Sequence, residues 1–236
     1  MVWEAVNALI TSDIIIVSPR TAFARLFSLA QTSDFWQTIY TTLGRVLRGF
    51  LLAMCAGILI AALSAKYKIF HRLILPAIKT INAAPIASII ILAFIAFHPS
   101  NLSVFIAFIT VMPISFFNTY KGILNTDPQL LEMANIFNVP TYKKIYYIYF
   151  KTVAPYVSSA ANVGIGFAWK SGIAAELIGV VSGTIGFNLY AAKIYLKTAD
   201  LYAWTIAIIL LSYLMERVFR FILNTAQNPL GKEKKW

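Results

Sequence analysis

The chain has 236 residues, of which 59% are hydrophobic and 12% are charged, and its mean hydropathy is +0.73. Soluble domains carry about 25% charged residues, so this composition excludes an ordinary globular protein of the aqueous phase. The apolar runs are continuous, which excludes an outer-membrane β-barrel, because barrel strands alternate apolar and polar residues. The net charge of +11 does not indicate nucleic-acid binding, because the basic residues border the apolar runs.

The first 40 residues consist of short apolar pieces separated by charged residues. We predict an N-terminal segment, residues 1–37, that is extracytoplasmic or lies at the membrane interface as a partly amphipathic stretch. Glu4 and Asp13 occur where a signal peptide would have a basic region, so no cleaved leader is expected.

Five apolar runs follow, each long enough to cross a hydrocarbon layer of about 30 Å at about 1.5 Å per residue. They lie at 46–64, 73–97, 102–124, 153–181 and 202–223. The second run contains Pro85, which either kinks the span and opens backbone groups toward a cavity or is a tolerated membrane-helix proline. The sequence therefore predicts an all-α fold, a polytopic membrane helical bundle of about five transmembrane helices.

The basic residues between the runs predict the orientation of the chain. Lys and Arg are concentrated in the 65–72 loop, in the long 125–152 loop and in a basic tail at 225–236, whereas the 98–101 turn has neither. Basic loops remain in the cytoplasm, so the 125–152 loop and the C-terminus are predicted to be cytoplasmic and the N-terminus extracytoplasmic. The stretch 182–201 is then an extracytoplasmic loop.

The 125–152 loop has a predicted helix–turn–helix structure. Thr126 or Asp127 can cap the first helix, because Pro128 is tolerated in a first helical turn. The helix is expected to continue through LLEMANIF, with one face formed by Leu130, Ala134 and Phe137.

The end of this helix is marked by a turn signal. Asn138 suits a left-handed position after a helix, Pro140 stops the helix, and Thr141 can cap the next one. Caps and amphipathicity alone leave two interpretations open, a helix lying on the lipid surface and a rigid element that binds a protein partner.

The same loop resembles a known signature. Glu132-Met133-Ala134 is followed after three residues by Asn138 and after nine more by Ile148-Tyr149-Phe150-Lys151. This resembles the Glu-Ala-Ala, Gly, Ile-x-Leu-Pro loop of binding-protein-dependent ABC importer permeases. Asn in place of Gly keeps a residue suited to the left-handed turn, while Met133, Phe150 and Lys151 depart from the pattern.

Later stretches resemble one branch of that family. GIGFAWKSGIAAELIG at 164–179, the following IGFNLYAAKIYLKTADLYAW and the early SPRTAFARL are similar to the nitrate, sulfonate and taurine permeases. The resemblance implies a type I importer permease domain at 38–224 in the bacterial cytoplasmic membrane, and a coupling helix that docks on an ATPase. The coupling residues it implies are Leu131, Glu132, Met133, Ala134, Phe137, Asn138, Tyr142 and Ile145.

The resemblance also implies the partners of the chain. No phosphate-binding G-x-x-x-x-G-K-[ST] run occurs in these 236 residues, so the chain is expected to be a transport subunit and no enzyme. ATP and Mg²⁺ would bind a separate cytoplasmic ATPase dimer, and no cofactor is expected on this chain. A second permease copy and an extracytoplasmic substrate-binding protein complete the implied assembly.

The fourth run combines small residues with charges. Ala160, Gly164, Ala168 and Gly172 recur every four residues, a spacing that lets helix backbones approach closely, so the helix is expected to pack in the protein interior. Lys170 and Glu176 would each cost about 2.5–3.5 kcal/mol at the bilayer centre. They either line a translocation pathway, together with Pro85, or are structural charges that fix helix packing.

Two other classes of function would require features of their own. An ion-driven carrier or channel without an ATPase would be indicated by several intramembrane acids or an internal repeat, and the sequence has one clear acid, Glu176. A membrane enzyme would need a catalytic motif that the sequence lacks, and His71, His98 and Cys55 form no metal-binding pattern. The solute stays open between the nitrate, sulfonate and taurine class and vitamin precursors.

Overall fold

The computed structural model describes residues 17–227, and every regular element in this part is helical. In chain order the α-helices are α1 (Pro19–Ala30), α2 (Ser33–Lys66), α3 (Lys68–Ala83), α4 (Ile86–Ala96), α5 (Pro99–Leu124), α6 (Pro128–Ile136), α7 (Thr141–Lys144), α8 (Phe150–Ile178), α9 (Ile185–Ile194) and α10 (Thr198–Gln227). A π-helical segment, Ile145–Tyr149, connects α7 to α8 without a break. The all-α fold class is confirmed, and the predicted start of the permease domain, residue 38, lies within α2.

Two of the predicted spans correspond to helices with the required length and apolarity. Helices α2 and α5 are the two described helices that are both long and apolar enough to cross a membrane. Helices α8 and α10, with 29 and 30 residues, have the length for the fourth and fifth spans, but they are not among the described helices that are apolar enough over a whole span.

Of the two interpretations of Pro85 in the predicted span at 73–97, the structure supports the kink. Helices α3 and α4 meet at a bend of 104°, so this run forms a broken pair. Ala84 is extended, with ψ of 137°, because the residue before a proline is disfavoured in the helical region. Pro85 then precedes the first residue of α4, where its missing N–H costs nothing.

The stretch 182–201 also differs from its prediction as a loop, because it contains α9. Thr184 caps this helix, and its side chain accepts a hydrogen bond from the Phe187 N–H at 3.3 Å. The capping residue was visible in the sequence, but only ten residues follow it, too few to show a clear apolar face.

The described chain forms two compact units, and four of the five boundaries between them fall inside long helices, while the fifth falls at the break between α3 and α4. The first unit comprises residues 17–49, 85–107 and 169–215. Its core is an apolar cluster formed by Ile90, Ala93, Leu102, Ile106, Ala175 and Val181. Close helix approach is visible at Gly172, where an added methyl group would lie 2.6 Å from Val46 Cγ2.

The second unit comprises residues 50–84, 108–168 and 216–227. Helices α2 and α5 touch at Gly57, where a methyl group would lie 2.5 Å from Ser115 Cβ. The Ser115 hydroxyl donates to the Met54 carbonyl at 3.1 Å, and His71 stacks on Tyr120 with ring centroids 4.5 Å apart. On α8, the predicted small-residue positions 160, 164, 168 and 172 are all buried, which confirms that this side of the helix packs inside the protein.

Candidate functional site

Helix α6 of the second unit is fixed at its start by a side-chain cap. Asp127 occupies the N-cap position, and its carboxylate accepts a hydrogen bond from the Gln129 N–H at 2.8 Å. Of the two predicted capping residues, Asp127 therefore performs this role, whereas Thr126 is buried. Pro128 is the first helical residue, as expected.

The exposed face of α6 is apolar, but its residues differ from those predicted. Ala134 is buried, whereas Leu130 and Phe137, which were predicted to share a face with it, are exposed. The exposed apolar side chains are instead Leu130, Met133, Ile136 and Phe137, the last two exposed by 76% and 74%. The small alanine is the residue that fits against the protein, which leaves the larger side chains outside.

Two further residues predicted for coupling lie on the same helix. Glu132 is exposed and Leu131 is half-buried. A short helix with a carboxylate and several large apolar side chains on its free surface has the composition of an interaction site, because an exposed apolar patch beside polar residues marks such sites.

The turn after α6 has the predicted left-handed residue. Asn138 has φ of 51°, and the Val139 N–H donates to the Ala134 carbonyl at 2.9 Å, which closes the helix end. Thr141 does not cap the following helix as predicted. Helix α7 begins at Thr141 itself, and Pro140 occupies the cap position without a side-chain hydrogen bond.

Two side-chain contacts hold this helix–turn–helix against its surroundings. Lys144 Nζ donates to Asn135 Oδ1 at 2.6 Å, which connects α7 to α6 across the turn. Asn125 Nδ2 donates to the Tyr156 hydroxyl at 2.6 Å, which connects the residue after α5 to α8. The turn is therefore held from both sides, and its exposed apolar groups are presented in a fixed direction.

An aromatic surface continues from the turn along α7 and the π-helical segment. A groove of about 440 Å³ is lined by Tyr142, Lys143, Ile145, Tyr146, Tyr147 and Phe150. Tyr146 stacks on Phe150 with ring centroids 6.2 Å apart. The predicted coupling residues Tyr142 and Ile145 are therefore both exposed on this groove.

In the first unit, Glu176 is fully buried and hydrogen-bonded. Its Oε2 accepts from the Thr42 hydroxyl at 2.9 Å and from the Gly186 N–H at 3.4 Å. The Thr42 oxygen in turn accepts from the Ile185 N–H at 3.0 Å. Glu176 and Thr42 thus satisfy the first two N–H groups of α9, which otherwise have no partner inside the helix.

This arrangement favours a positioning role for Glu176 over direct contact with a solute. An added methyl group at Gly186 would lie 2.4 Å from Glu176 Cβ, so α9 can approach the carboxylate only because residue 186 is glycine. Sequence reasoning did not identify Thr42 or α9 as partners of Glu176. The available signal for α9 was Thr184, a capping residue followed by a mostly apolar stretch of ten residues.

Three buried polar atoms near this network have no hydrogen-bond partner among residues 17–227. They are Glu176 Oε1, Ser103 Oγ and Arg45 Nη1. Arg45 is close enough to Glu176 to act on it electrostatically. Of the two Glu176 carboxylate oxygens, Oε2 is therefore hydrogen-bonded at the start of α9, and Oε1 is left for the Arg45 guanidinium and the Ser103 hydroxyl.

Lys170 differs from Glu176 in its surroundings. It is exposed, and its side chain has neither a hydrogen bond nor an ion pair with any residue of the described range 17–227. Pro85 is exposed at the break between α3 and α4. The structure therefore separates the three predicted pathway residues into two exposed positions and one buried one.

A second groove lies on the first unit beside α1. It has a volume of about 410 Å³ and contains Phe35 and Trp204, whose ring centroids are 5.0 Å apart. At its edge, Arg25 forms an ion pair with Asp200, and the hydrogen bond from its side chain to Asp200 raises the pKa of Arg25. This pair fastens α1 to the start of α10.

Comparisons with known proteins give the family of the chain. Residues 53–229 match the family described as binding-protein-dependent transport system inner membrane component. A protein of Brucella melitensis named as a probable ABC transporter permease is 24% identical over 219 residues, which are 92% of this chain and 88% of the relative. The nitrate import permease protein of Synechococcus elongatus is 28% identical over 155 residues, 65% of this chain and 55% of the relative.

A solved structure supports the fold. The crystal structure of a bacterial alginate ABC transporter, in complex with its alginate pentasaccharide-bound periplasmic protein, matches 87% of this chain and 82% of the solved chain. The TM-score is 0.66 at 13% sequence identity, a likeness of fold. Together with the family match, it makes this chain a member of the binding-protein-dependent transport system inner membrane components, the permease subunits of ABC importers.

Proposed function

We propose that α6 and the turn after it couple this permease to a cytoplasmic ATPase. The observation that carries the proposal is the fixed presentation of exposed apolar side chains next to Glu132, between the Asp127 cap and the left-handed Asn138. Such a helix suits a groove on a partner, because amphipathic helices bind by placing their apolar face in a hydrophobic groove. The family signature in the same residues favours an ATPase as that partner.

The contact residues proposed for the ATPase lie on both sides of the turn. On α6 and the turn they are Leu131, Glu132, Met133, Phe137 and Asn138, with Ala134 supporting the helix from its buried side. After the turn they are Tyr142 and Ile145, which line the aromatic groove. ATP and Mg²⁺ would bind the ATPase, and its closure would move this exposed element.

The proposed assembly contains two permease copies, an ATPase dimer and an extracytoplasmic substrate-binding protein in a bacterial cytoplasmic membrane. The family description, which names both binding-protein dependence and the inner membrane, supports this assembly. The periplasmic protein named with the alginate transporter supports the binding-protein partner. The orientation that places α6 in the cytoplasm rests on the basic loops.

The solute passes, in this proposal, along the exposed face of α8 that contains Lys170, with Pro85 at the break between α3 and α4 also on the route. Glu176 would act indirectly, by holding α9 in position. The solute belongs to the class of nitrate, sulfonates and taurine or to vitamin precursors, and the nitrate permease among the relatives supports the first of these.

The test is co-purification of partners from the native membrane in a mild detergent. We expect an ABC ATPase to co-purify with the native chain and to be lost with Glu132→Arg. Asp34→Arg is the matched control, because Asp34 is also an exposed acid on a helix but lies on α2 and outside the signature loop. Retention of the ATPase by Glu132→Arg at native levels would contradict the docking site, and its absence from all three samples would contradict ATPase coupling.

A further inference from the structure

The depth of Lys170 in the membrane follows from its neighbours in the first unit. The adjacent Trp169 donates its indole N–H to the Ile208 carbonyl of α10 at 3.3 Å. At that level of α10, Ile209 and Leu210 are exposed by 61% and 56%. Two adjacent large apolar side chains exposed on α10, which has the length of a span, indicate hydrocarbon at this level, so Lys170 lies within the thickness of the lipid core.

Contacts on the extracytoplasmic side of Lys170 also place this residue within the hydrocarbon layer. Phe94 of α4 lies close to Gly179, and α4 exposes Leu92 and Ile95 by 68% and 80%. The hydrocarbon therefore extends at least to the level of Gly179. Lys170 is nine residues before Gly179, about 13 Å deeper along the helix axis at 1.5 Å per residue. A lysine side chain is too short to reach the interface over that distance.

A second cation lies at the same depth. Gly172 of α8 touches Val46 of α2. Arg48 is two residues after Val46, and Lys170 is two residues before Gly172. Arg48 is exposed, and its side chain forms no hydrogen bond or ion pair with any residue in the range 17–227. Arg45 lies one turn before Arg48 and acts electrostatically on Glu176.

Two uncompensated cations at hydrocarbon depth need an aqueous or anionic environment, because a charge exposed to lipid is costly. Rings of Arg and Lys at such positions select anions in pores. Resting on the proposed function, we infer that the exposed face of α8 lines a water-filled passage for a small anion. Arg48 and Lys170 supply the positive potential of this passage, and the solute class is therefore anionic.

The experiment probes this face with charged thiol reagents. The background is Cys55→Ser, since Cys55 is exposed. Reporters are Phe167→Cys and Ala174→Cys, about one turn before and after Lys170 on the same side of α8. Membranes containing the full transporter are treated with anionic 2-sulfonatoethyl or cationic 2-trimethylammonioethyl methanethiosulfonate, with and without ATP and Mg²⁺. Each rate is divided by the rate of the same reagent with 2-mercaptoethanol.

We expect at least one reporter to react, with the corrected rate of the anionic reagent exceeding that of the cationic reagent by about tenfold. Adding Lys170→Gln and Arg48→Gln should bring the two rates to within about twofold of each other. Lys79→Gln, which removes a cation from α3, is the matched control and should leave the preference unchanged.

Two results would overturn the inference, and both differ from a failure of the ATPase proposal. Reporters that react with neither reagent would show that the face of α8 is not aqueous. Reporters that react without preferring the anion, or with a preference that survives the double glutamine variant, would show that the two cations do not select charge. Co-purification of the ATPase is measured independently, so it can succeed while either of these results is obtained.

Discussion

The turn after α6 and the Glu176 network are the two places where this chain departs most from a simple apolar bundle, and they do so in opposite ways. At the turn, Ile136 and Phe137 are apolar and exposed, with the backbone around them fully capped. At the network, a carboxylate is buried with none of its surface exposed and is hydrogen-bonded to Thr42 and to α9. Exposed apolar groups on a fixed backbone indicate an interaction with a partner, whereas a buried polar group with hydrogen bonds indicates internal positioning.

The largest effect is expected from Glu176→Ala, which removes the acceptor shared by Thr42 and Gly186. Each buried donor left without a partner costs about 1–3 kcal/mol, so the free energy of unfolding should fall by at least about 2 kcal/mol. Thermal unfolding of the detergent-solubilised protein, followed by size-exclusion chromatography, measures this. Glu132→Ala is the control at an exposed acid and should leave unfolding unchanged. Equal unfolding temperatures for the two variants would contradict the contrast between the regions.

A smaller and different effect is expected from Phe137→Ala. Because Phe137 is exposed by 74%, its truncation should leave stability within about 0.5 kcal/mol of the native chain. Binding of the ATPase should weaken by about tenfold or more, as is typical of aromatic anchors at interfaces. Titration of the ATPase against the permease in lipid nanodiscs measures the affinity. Phe27→Ala, at a phenylalanine exposed by 70% on α1, is the matched control, and an equal loss there would argue against a specific anchor.

The smallest effect is expected from Asn138→Gly, which tests whether the backbone shape of the turn or the asparagine side chain is required. Asn138 has φ of 51°, so Asn138→Gly should change stability and ATPase affinity by no more than a few tenths of a kcal/mol. Asn138→Val should cost about 1–2 kcal/mol, because a branched side chain is strained in this conformation. The same unfolding and titration measurements apply to both variants. If glycine proved as damaging as valine, the asparagine side chain itself would be required and backbone shape would not explain the position.

The sequence predicted the features that depend on local chemistry. The left-handed Asn138, the start of α6 at Pro128 and the buried small residues of α8 follow from neighbouring residues alone, and all are confirmed. The family resemblance was predicted from residues 131–156 and 164–204 and is also confirmed.

Features that depend on distant residues could not be predicted. Ala134 was grouped with Phe137 because helical spacing gives a face but not which face the rest of the protein covers. The role of Glu176 depends on Thr42, 134 residues earlier, and on the backbone of α9. The 104° bend between α3 and α4 was expected only as a kink, because a proline predicts a break and not its angle.

The π-helical segment Ile145–Tyr149 has a consequence for the rotational phase of the chain. Its hydrogen bonds reach one residue further than those of an α-helix, as in the bond from the Phe150 N–H to the Ile145 carbonyl. One residue corresponds to about 100° of rotation around a helix with 3.6 residues per turn. The direction in which α7 leaves α8, and with it the outward face of the turn at Asn138, is therefore set by the number of residues in this segment. A shorter segment of the same composition would turn the same side chains toward a different neighbour.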